Sequence, residues 1–254
     1  MTNDMLDLKD VVVAFHGFTV LDKLSLNVQQ GELRFLIGPN GAGKTTLLDL
    51  LTGKTRPVSG KATYDGHVDI TRQAEHKLVR MGIGRKFQTP AVYKSLTCLE
   101  HLEVALGFRR TLPSLFGSLG NRERERIGEA LSTVGLLEQA HTKAGALSHG
   151  ESQWLEIAML LVQDPKLLLL DEPVAGMTRP EREKTGELLN TLAGLHTIIV
   201  TEHDMDFVRR FARQVTVLHM GSVLTEGSID EVQNNESVVE VYLGRSHGRE
   251  HDGS

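Results

Sequence analysis

The chain has 254 residues, enough for one sizeable core, and a formal charge of −5 from 28 Lys and Arg against 33 Asp and Glu. This balance disfavours nucleic-acid binding through a generic basic surface. One cysteine, Cys98, excludes an internal disulfide framework and suits a reducing compartment. No apolar run approaches the roughly 18 to 20 residues that cross a bilayer, and the polar start lacks a signal-peptide core. We therefore expect a cytoplasmic chain that reaches a membrane only through a partner.

The first fifty residues predict strands followed by a glycine-rich loop and a helix. Residues 6–28 are short and β-rich, which predicts an antiparallel sheet. Leu33–Ile37 is a short apolar strand, and residues 46–51 have helical character until Gly53. The loop 38–45 lies between them, in the order strand, loop, helix that a phosphate site requires.

The middle third predicts a helical insertion, and strands return after it. Residues 95–105 and 122–134 have helical spacing, and the stretch 108–121 between them reads as a loop. The continuous apolar runs 167–170 and 197–200 are typical of strands buried on both faces of a parallel sheet. The fold class is thus predicted as α/β, with an N-terminal antiparallel β-subdomain and an inserted α-helical subdomain.

The C-terminal part predicts a hairpin and a short helix. The hairpin turns at Met220-Gly221, and the helix covers about residues 229–234. The last stretch, 244–254, is polar and is expected to fray.

The loop 38–45 has the pattern glycine, four residues, glycine, lysine, threonine. Successive backbone N–H groups at a helix N-terminus surround phosphates, and glycines permit their close approach. Lys44 is expected to reach the β- and γ-phosphates, and Thr45 to offer its hydroxyl to Mg²⁺. An ordinary tight turn is the alternative. The loop residues are Gly38, Pro39, Asn40, Gly41, Ala42, Gly43, Lys44 and Thr45.

Two further segments carry acidic or capping residues. Asp171 and Glu172 end a predicted buried strand, where Asp171 would hold Mg²⁺ and Glu172 would act as the general base. Their alternative role is to cap a helix after Pro173. Ser148 and Glu151 form a capping box, although such a helix start is also an anion site for a second molecule's γ-phosphate.

These parts, in this order, resemble the ATP-binding subunit of ABC transporters over about residues 6–245. Residues 38–45 match Walker A, residues 167–172 match Walker B with its catalytic glutamate, and residues 147–151 match the signature motif. The resemblance implies that Thr46 also binds nucleotide, and that Ser148, His149, Gly150 and Glu151 act in trans on another subunit's nucleotide.

The resemblance also assigns three single residues. Gln88 resembles the glutamine that contacts Mg²⁺ and the attacking water, and His203 resembles the switch histidine of the γ-phosphate. Phe15 resembles the aromatic residue that stacks on adenine, with core packing as its alternative.

Within the family, residues 147–150, 173–178 and 240–245 are most similar to the urea-type subunit of the branched-chain amino acid uptake group. The resemblance therefore implies uptake of urea, with a branched-chain amino acid or related amide as the alternative. Three positions depart from the common family pattern. His149 stands where Gly is usual in the signature. Glu151 stands where Gln is usual and would bring charge near a phosphate or face the ribose, and Thr178 stands where Asp is frequent.

The resemblance implies one ABC ATPase domain over residues 1–245, with a helical subdomain at about 89–163 and a polar tail at 246–254. The implied cofactors are ATP and Mg²⁺. The implied partners are a second ATP-binding subunit, identical or related, transmembrane permease subunits and, indirectly, a solute-binding protein; no nucleic acid is implied. The chain would then lie on the inner face of the plasma membrane. Two rivals stay open: a non-transport ABC-type ATPase acting on DNA or ribosomes, and a small-molecule kinase.

Overall fold

The computed structural model describes residues 4–86, 92–107 and 120–243. The first seventy residues include an antiparallel sheet of order β2-β1-β4-β5. A two-residue turn, His16-Gly17, joins its first two strands, and both turn residues have positive φ, at 49° and 84°. The antiparallel sheet predicted for residues 6–28 is confirmed. Its strands are β1 (Asp4–Phe15), β2 (Phe18–Gln29), β4 (Ser59–Tyr64) and β5 (Val68–Asp69).

A second sheet has the order β10-β9-β3-β8-β7-β6. The pairs from β9 through β3, β8 and β7 to β6 are parallel, and β10 pairs antiparallel to β9 across the predicted hairpin turn. The sheet is therefore mixed. Its strands are β3 (Leu33–Ile37), β6 (Ile83–Lys86), β7 (Leu167–Asp171), β8 (Thr197–Thr201), β9 (Gln214–His219) and β10 (Ser222–Gly227).

The central strands of this sheet are buried on both faces. Every residue of β3, β7 and β8 is buried. Since alternate side chains point to opposite faces, Leu168 and Leu170 join one hydrophobic cluster and Leu167 and Leu169 join the other. This burial explains the uninterrupted apolar runs of these strands.

Helices lie between and after the strands in the described part of the chain. The predicted apolar face of residues 122–134 is confirmed, because Ile127, Ala130, Leu131 and Val134 are all buried, and Cys98 is buried as well. The helices are α1 (Lys44–Leu51), α2 (Glu75–Arg80), α3 (Cys98–Gly107), α4 (Asn121–Thr133), α5 (His149–Leu161), α6 (Arg179–Leu192), α7 (Met205–Phe211), α8 (Ile229–Gln233) and α9 (Glu236–Leu243).

Helices α3, α4 and α5 lie between β6 and β7 in the chain and pack on one another. They fall where the helical subdomain was predicted, and the domain division itself stays a prediction. Most of the loop predicted at 108–121, and the tail predicted at 244–254, lie outside the described residues. In the described ranges no helix has the length and apolar character needed to cross a membrane.

The parallel register brings several strand ends to one edge of the sheet. Thr201, the last residue of β8, pairs with Leu36 on one side and with Asp171 on the other. Lys86 ends β6 opposite Leu170. The carboxyl ends of β3, β6, β7 and β8 therefore lie at the same edge of the sheet, where ligands bind in α/β proteins.

Candidate functional site

Helix α1 begins at this edge without a side-chain cap. Its N-cap is Gly43, with φ 104°, and its first turn contains no acidic residue. The first N–H groups of a helix have no partner within the helix and carry partial positive charge. The start of α1 therefore presents N–H donors and positive potential to an anion.

Two glycines of the loop occupy positions where a Cβ would meet a neighbouring strand at close range. A Cβ on Gly38 would lie 2.2 Å from the carbonyl oxygen of Leu218, and a Cβ on Gly43 would lie 2.7 Å from Leu21 Cδ2. Both glycines have a φ that L side chains rarely adopt, 150° and 104°. The loop is thus packed closely against β9 and β2.

The side chain of Lys44 curls back over the loop. Its Nζ donates to the carbonyl oxygens of Gly38 at 2.6 Å and Pro39 at 3.2 Å. Burial lowers the pKa of the Lys44 amine, and the charges of Glu172 and Asp171 act in the opposite direction. The lysine therefore lies within electrostatic reach of both predicted acidic residues.

The remaining predicted loop residues differ in exposure. Asn40, Gly41 and Thr45 are exposed, whereas Pro39 and Thr46 are half-buried and Ala42 is buried. The Thr45 hydroxyl is thus accessible to a ligand at the start of α1.

Asp171 ends β7 as a buried carboxylate held on both sides. The hydroxyl of Thr201 donates to its Oδ1 at 2.5 Å, and Arg85 Nη2 lies 3.4 Å from its Oδ2. The guanidinium of Arg85 also binds Asp49 of α1. Arg85 of β6, whose side chain is 5% exposed, therefore connects the carboxylate of Asp171 to the helix that follows the loop.

Glu172 adopts an unusual backbone conformation directly after the strand. Its φ is 47°, which is uncommon for a residue other than glycine and is concentrated at functional sites. Its N–H donates to the carbonyl oxygen of Thr201 at 3.0 Å, and its Oε1 lies 3.4 Å from His203 Nδ1. The next helix, α6, begins only at Arg179 with Thr178 as its N-cap. The alternative that the acidic pair caps a helix after Pro173 is therefore wrong.

Glu202, between Thr201 and His203, is buried. Its two oxygens accept from the N–H groups of Val174 at 3.3 Å and His203 at 3.2 Å. Burial is the main cause that raises the pKa of Glu202 to about 7. The carboxyl group therefore titrates near neutral pH beside the site.

This raised pKa predicts a pH-dependent stability. Between the ordinary glutamate pKa of 4.5 and about 7, the folded chain keeps a proton that the unfolded chain has lost. The free energy of unfolding should fall as pH rises through this window, by about 3 kcal/mol in total. Glu202→Gln should remove that loss. Guanidinium chloride unfolding at pH 5 and pH 8 measures it, and equal pH dependence of both proteins would contradict the assignment.

The predicted signature segment forms a capped helix start. Ser148 is the N-cap of α5; its Oγ accepts from the N–H of Glu151 at 3.1 Å, and Glu151 Oε2 accepts from the N–H of Ser148 at 2.8 Å. The capping box predicted for this pair is confirmed. Glu151 thus uses its carboxylate within its own helix start.

The same helix start contacts α6 and the segment before it. The Ser148 hydroxyl donates to Glu181 Oε1 at 3.1 Å. His149 Nε2 lies 3.0 Å from the carbonyl oxygen of Ala175, so this nitrogen carries the proton that the bond requires. We name residues 147–151 the signature turn. Two hydrogen bonds connect it to the segment that follows Glu172.

Two predicted site residues remain. Phe15, at the end of β1, is 45% exposed, which argues against its alternative role as a core residue. Gln88 lies outside the described residues.

The structure also adds residues that the sequence did not single out: Asp49, Arg85, Thr201, Glu202 and Glu181. Only its position, three residues before the predicted site residue Gln88, could have pointed to Arg85 in the sequence. Its partners are 36 and 86 residues away along the chain, so the pairing itself had no such signal.

Comparison with known proteins identifies the family. The model of the ABC transporter family matches residues 21–175. The chain is 33% identical to the high-affinity branched-chain amino acid transport ATP-binding protein LivG of Salmonella typhimurium, over 97% of this chain and all of that protein.

Solved structures agree in fold. The ADP conformation of an ATP-binding cassette of an ABC transporter superposes with a TM-score of 0.83 at 31% identity, over 96% of this chain and 100% of that one. A dimeric cassette in a post-hydrolysis state, bound to ADP and Pi, has a TM-score of 0.74 at 28% identity, over 89% and 99%. The predicted ABC ATPase fold is thus confirmed. The chain belongs to the ABC transporter family, as an ATP-binding and ATP-hydrolysing subunit.

Proposed function

We propose that this subunit hydrolyses ATP at the carboxyl edge of the six-stranded sheet to drive uptake of a branched-chain amino acid. The observation that carries the hydrolytic site is the convergence of Lys44, Asp171 and Glu172 beside the uncapped start of α1. The solute class rests on the name of the LivG relative. That name favours a branched-chain amino acid over urea as the solute.

The loop 38–45 has the features needed to bind the phosphates of a nucleotide. Loop glycines let the backbone approach a phosphate closely, and Lys44 can turn its Nζ from the loop carbonyls toward the β- and γ-phosphates. Phe15 supports the adenine from the end of β1. The nucleotide-binding residues proposed are thus Phe15 and residues 38–46.

Mg²⁺ also fits, since it binds proteins through one or two carboxylates and completes its shell with water and substrate phosphates. Asp171 and the Thr45 hydroxyl are the described residues proposed for it, with Gln88 as the third. When bound, the ion neutralises charge on the phosphate oxygens.

Glu172 is the proposed general base. Glu172 directly follows Asp171 at the end of β7, and its carboxylate accepts the proton of the attacking water. His203, whose Nδ1 lies 3.4 Å from Glu172 Oε1, is proposed to contact the γ-phosphate. The positive φ of Glu172 is the kind of backbone strain that is concentrated at functional sites.

The site is proposed to be completed by another subunit. Within one chain the polar contacts of Ser148 and His149 include residues 181 and 175, which follow Glu172 in the sequence. The dimeric relative supports a two-subunit arrangement in which Ser148, His149 and Gly150 face the partner's nucleotide. Glu151 then contributes as a helix cap. Permease subunits, and a solute-binding protein through them, would hold the dimer at the inner face of the membrane.

Uptake by intact cells tests the solute. Deletion of the gene should abolish uptake of labelled leucine at low concentration, and the wild-type chain should restore it whereas Glu172→Gln should not. Loss of urea uptake with leucine uptake intact would instead establish the urea alternative. Unchanged uptake of both, together with copurification on ribosomes or DNA, would overturn the transport proposal.

A further inference from the structure

The carboxylate of Glu181 lies against the start of a helix other than its own. Its Oε2 accepts from the N–H of Thr178 at 2.9 Å and from the Thr178 hydroxyl at 2.8 Å, which caps α6. Its Oε1 accepts from the Ser148 hydroxyl at 3.1 Å. One oxygen thus serves α6 and the other serves the signature turn.

The second oxygen also lies at the backbone of Gly150. A Cβ on Gly150 would fall 2.4 Å from Glu181 Oε1, so only glycine leaves room for the carboxylate there. Hydrogen bonds from Thr178, and further ones from Ser148 and the Gly150 backbone, lower the pKa of Glu181. The group is therefore held as an anion at the start of α5.

Another contact fixes this arrangement. His149 Nε2 is bonded to the carbonyl oxygen of Ala175, six residues before Glu181. A Cβ on Gly176 would lie 3.2 Å from the same nitrogen. The signature turn and the segment 175–181 are thus fastened at two points, which keeps the carboxylate in place.

A second glutamate, Glu231, makes the same helix-capping bonds as Glu181 but has no contact with Ser148 among the described hydrogen bonds. Glu231 Oε2 accepts from the N–H and the hydroxyl of Ser228 at 2.7 and 2.8 Å, the same pair of bonds that Glu181 makes with Thr178. Glu231 caps α8, away from the signature turn. Loss of capping alone can therefore be measured at Glu231.

We propose that Glu181 is an internal competitor of nucleotide: its carboxylate occupies the signature turn of the isolated subunit and must leave before a γ-phosphate held by a second subunit can bind. This rests on the proposed trans role of the turn. The Ser148 hydroxyl and the Gly150 N–H are the donors that both anions need. Two anions cannot share them, because like charges at contact distance repel strongly. Glu181 thus sets the ATP concentration at which two subunits close.

The test measures ATP-dependent dimerisation by sedimentation velocity in a Glu172→Gln background, which avoids turnover. Glu181→Gln keeps an acceptor oxygen for Thr178 but lacks the charge, and neutral acceptors bind more weakly. It should lower the ATP concentration for half-maximal dimer by about three- to tenfold, the range of one such hydrogen bond. Glu181→Asp, too short to reach Ser148, should shift it in the same direction. Glu231→Gln should not shift it.

Two outcomes overturn the proposal in distinguishable ways. If the dimer forms with ATP but Glu181→Gln and Glu231→Gln have the same ATP dependence, the competitor role is wrong and the proposed function stands. If no variant dimerises with ATP at any concentration, the shared site and the competitor role both fail.

Discussion

Replacing Glu172 by Gln should leave ATP affinity within about twofold of the wild type and lower turnover by at least about 100-fold, the usual contribution of a positioned general base. The amide keeps the size of the side chain but cannot accept the proton of water. The loop 38–43 and Lys44, which hold the phosphates, are unchanged. Equilibrium binding of a fluorescent ATP analogue and steady-state phosphate release measure the two effects.

An exposed glutamate on α6, Glu187, provides the control. Glu187→Gln removes the same charge away from the site and should retain wild-type turnover. Wild-type turnover in Glu172→Gln itself would remove Glu172 from the role of base, whatever its geometry.

Replacing Ser148 by Asp should lower turnover by about 10- to 100-fold, the range for losing a hydrogen bond to a charged group. Asp is as good an N-cap as Ser, so α5 should still begin there, although the new charge would also lie beside Glu181 Oε1, which the Ser148 hydroxyl contacts at 3.1 Å. Its negative charge, however, would lie where the partner's γ-phosphate is proposed to bind. ATP binding to the isolated chain should not change, because the chain's own phosphates are proposed to bind at residues 38–46. The polar contacts of Ser148 and His149 with other segments of their own chain are with residues 181 and 175.

The matched control is Ser228→Asp, which makes the same change at the N-cap of α8. It should retain turnover. A loss of turnover in both variants would indicate a general effect of charge on the fold, and unchanged turnover in Ser148→Asp would exclude the turn from the site.

The sequence predicts those site residues whose functional partners lie within a few positions along the chain. The loop 38–45, the acidic pair after a buried strand and the capping box at Ser148 each place their parts within a few residues, so spacing alone identifies them. Buried strands β3, β7 and β8 were predicted from their apolar runs for the same reason.

The contacts that sequence missed join distant segments. Arg85 binds carboxylates on α1 and β7, and Glu181 reaches a hydroxyl 33 residues earlier; neither pairing leaves a periodic or spacing signal. The raised pKa of Glu202 depends on burial, which its polar neighbours Thr201 and His203 conceal in the sequence. The solute is not encoded in this site, since the proposed roles of its residues concern only ATP, Mg²⁺ and a second subunit.

The most direct measurement of the shared site mixes two inactive chains. Lys44→Ala lacks the phosphate-binding lysine, and Ser148→Asp lacks a usable signature turn. A mixed dimer contains one site in which both Lys44 and Ser148 are intact, whereas neither homodimer contains any. We predict that the co-expressed mixture hydrolyses ATP well above the sum of the two chains measured separately. Hydrolysis equal to that sum would contradict a site completed by a second subunit.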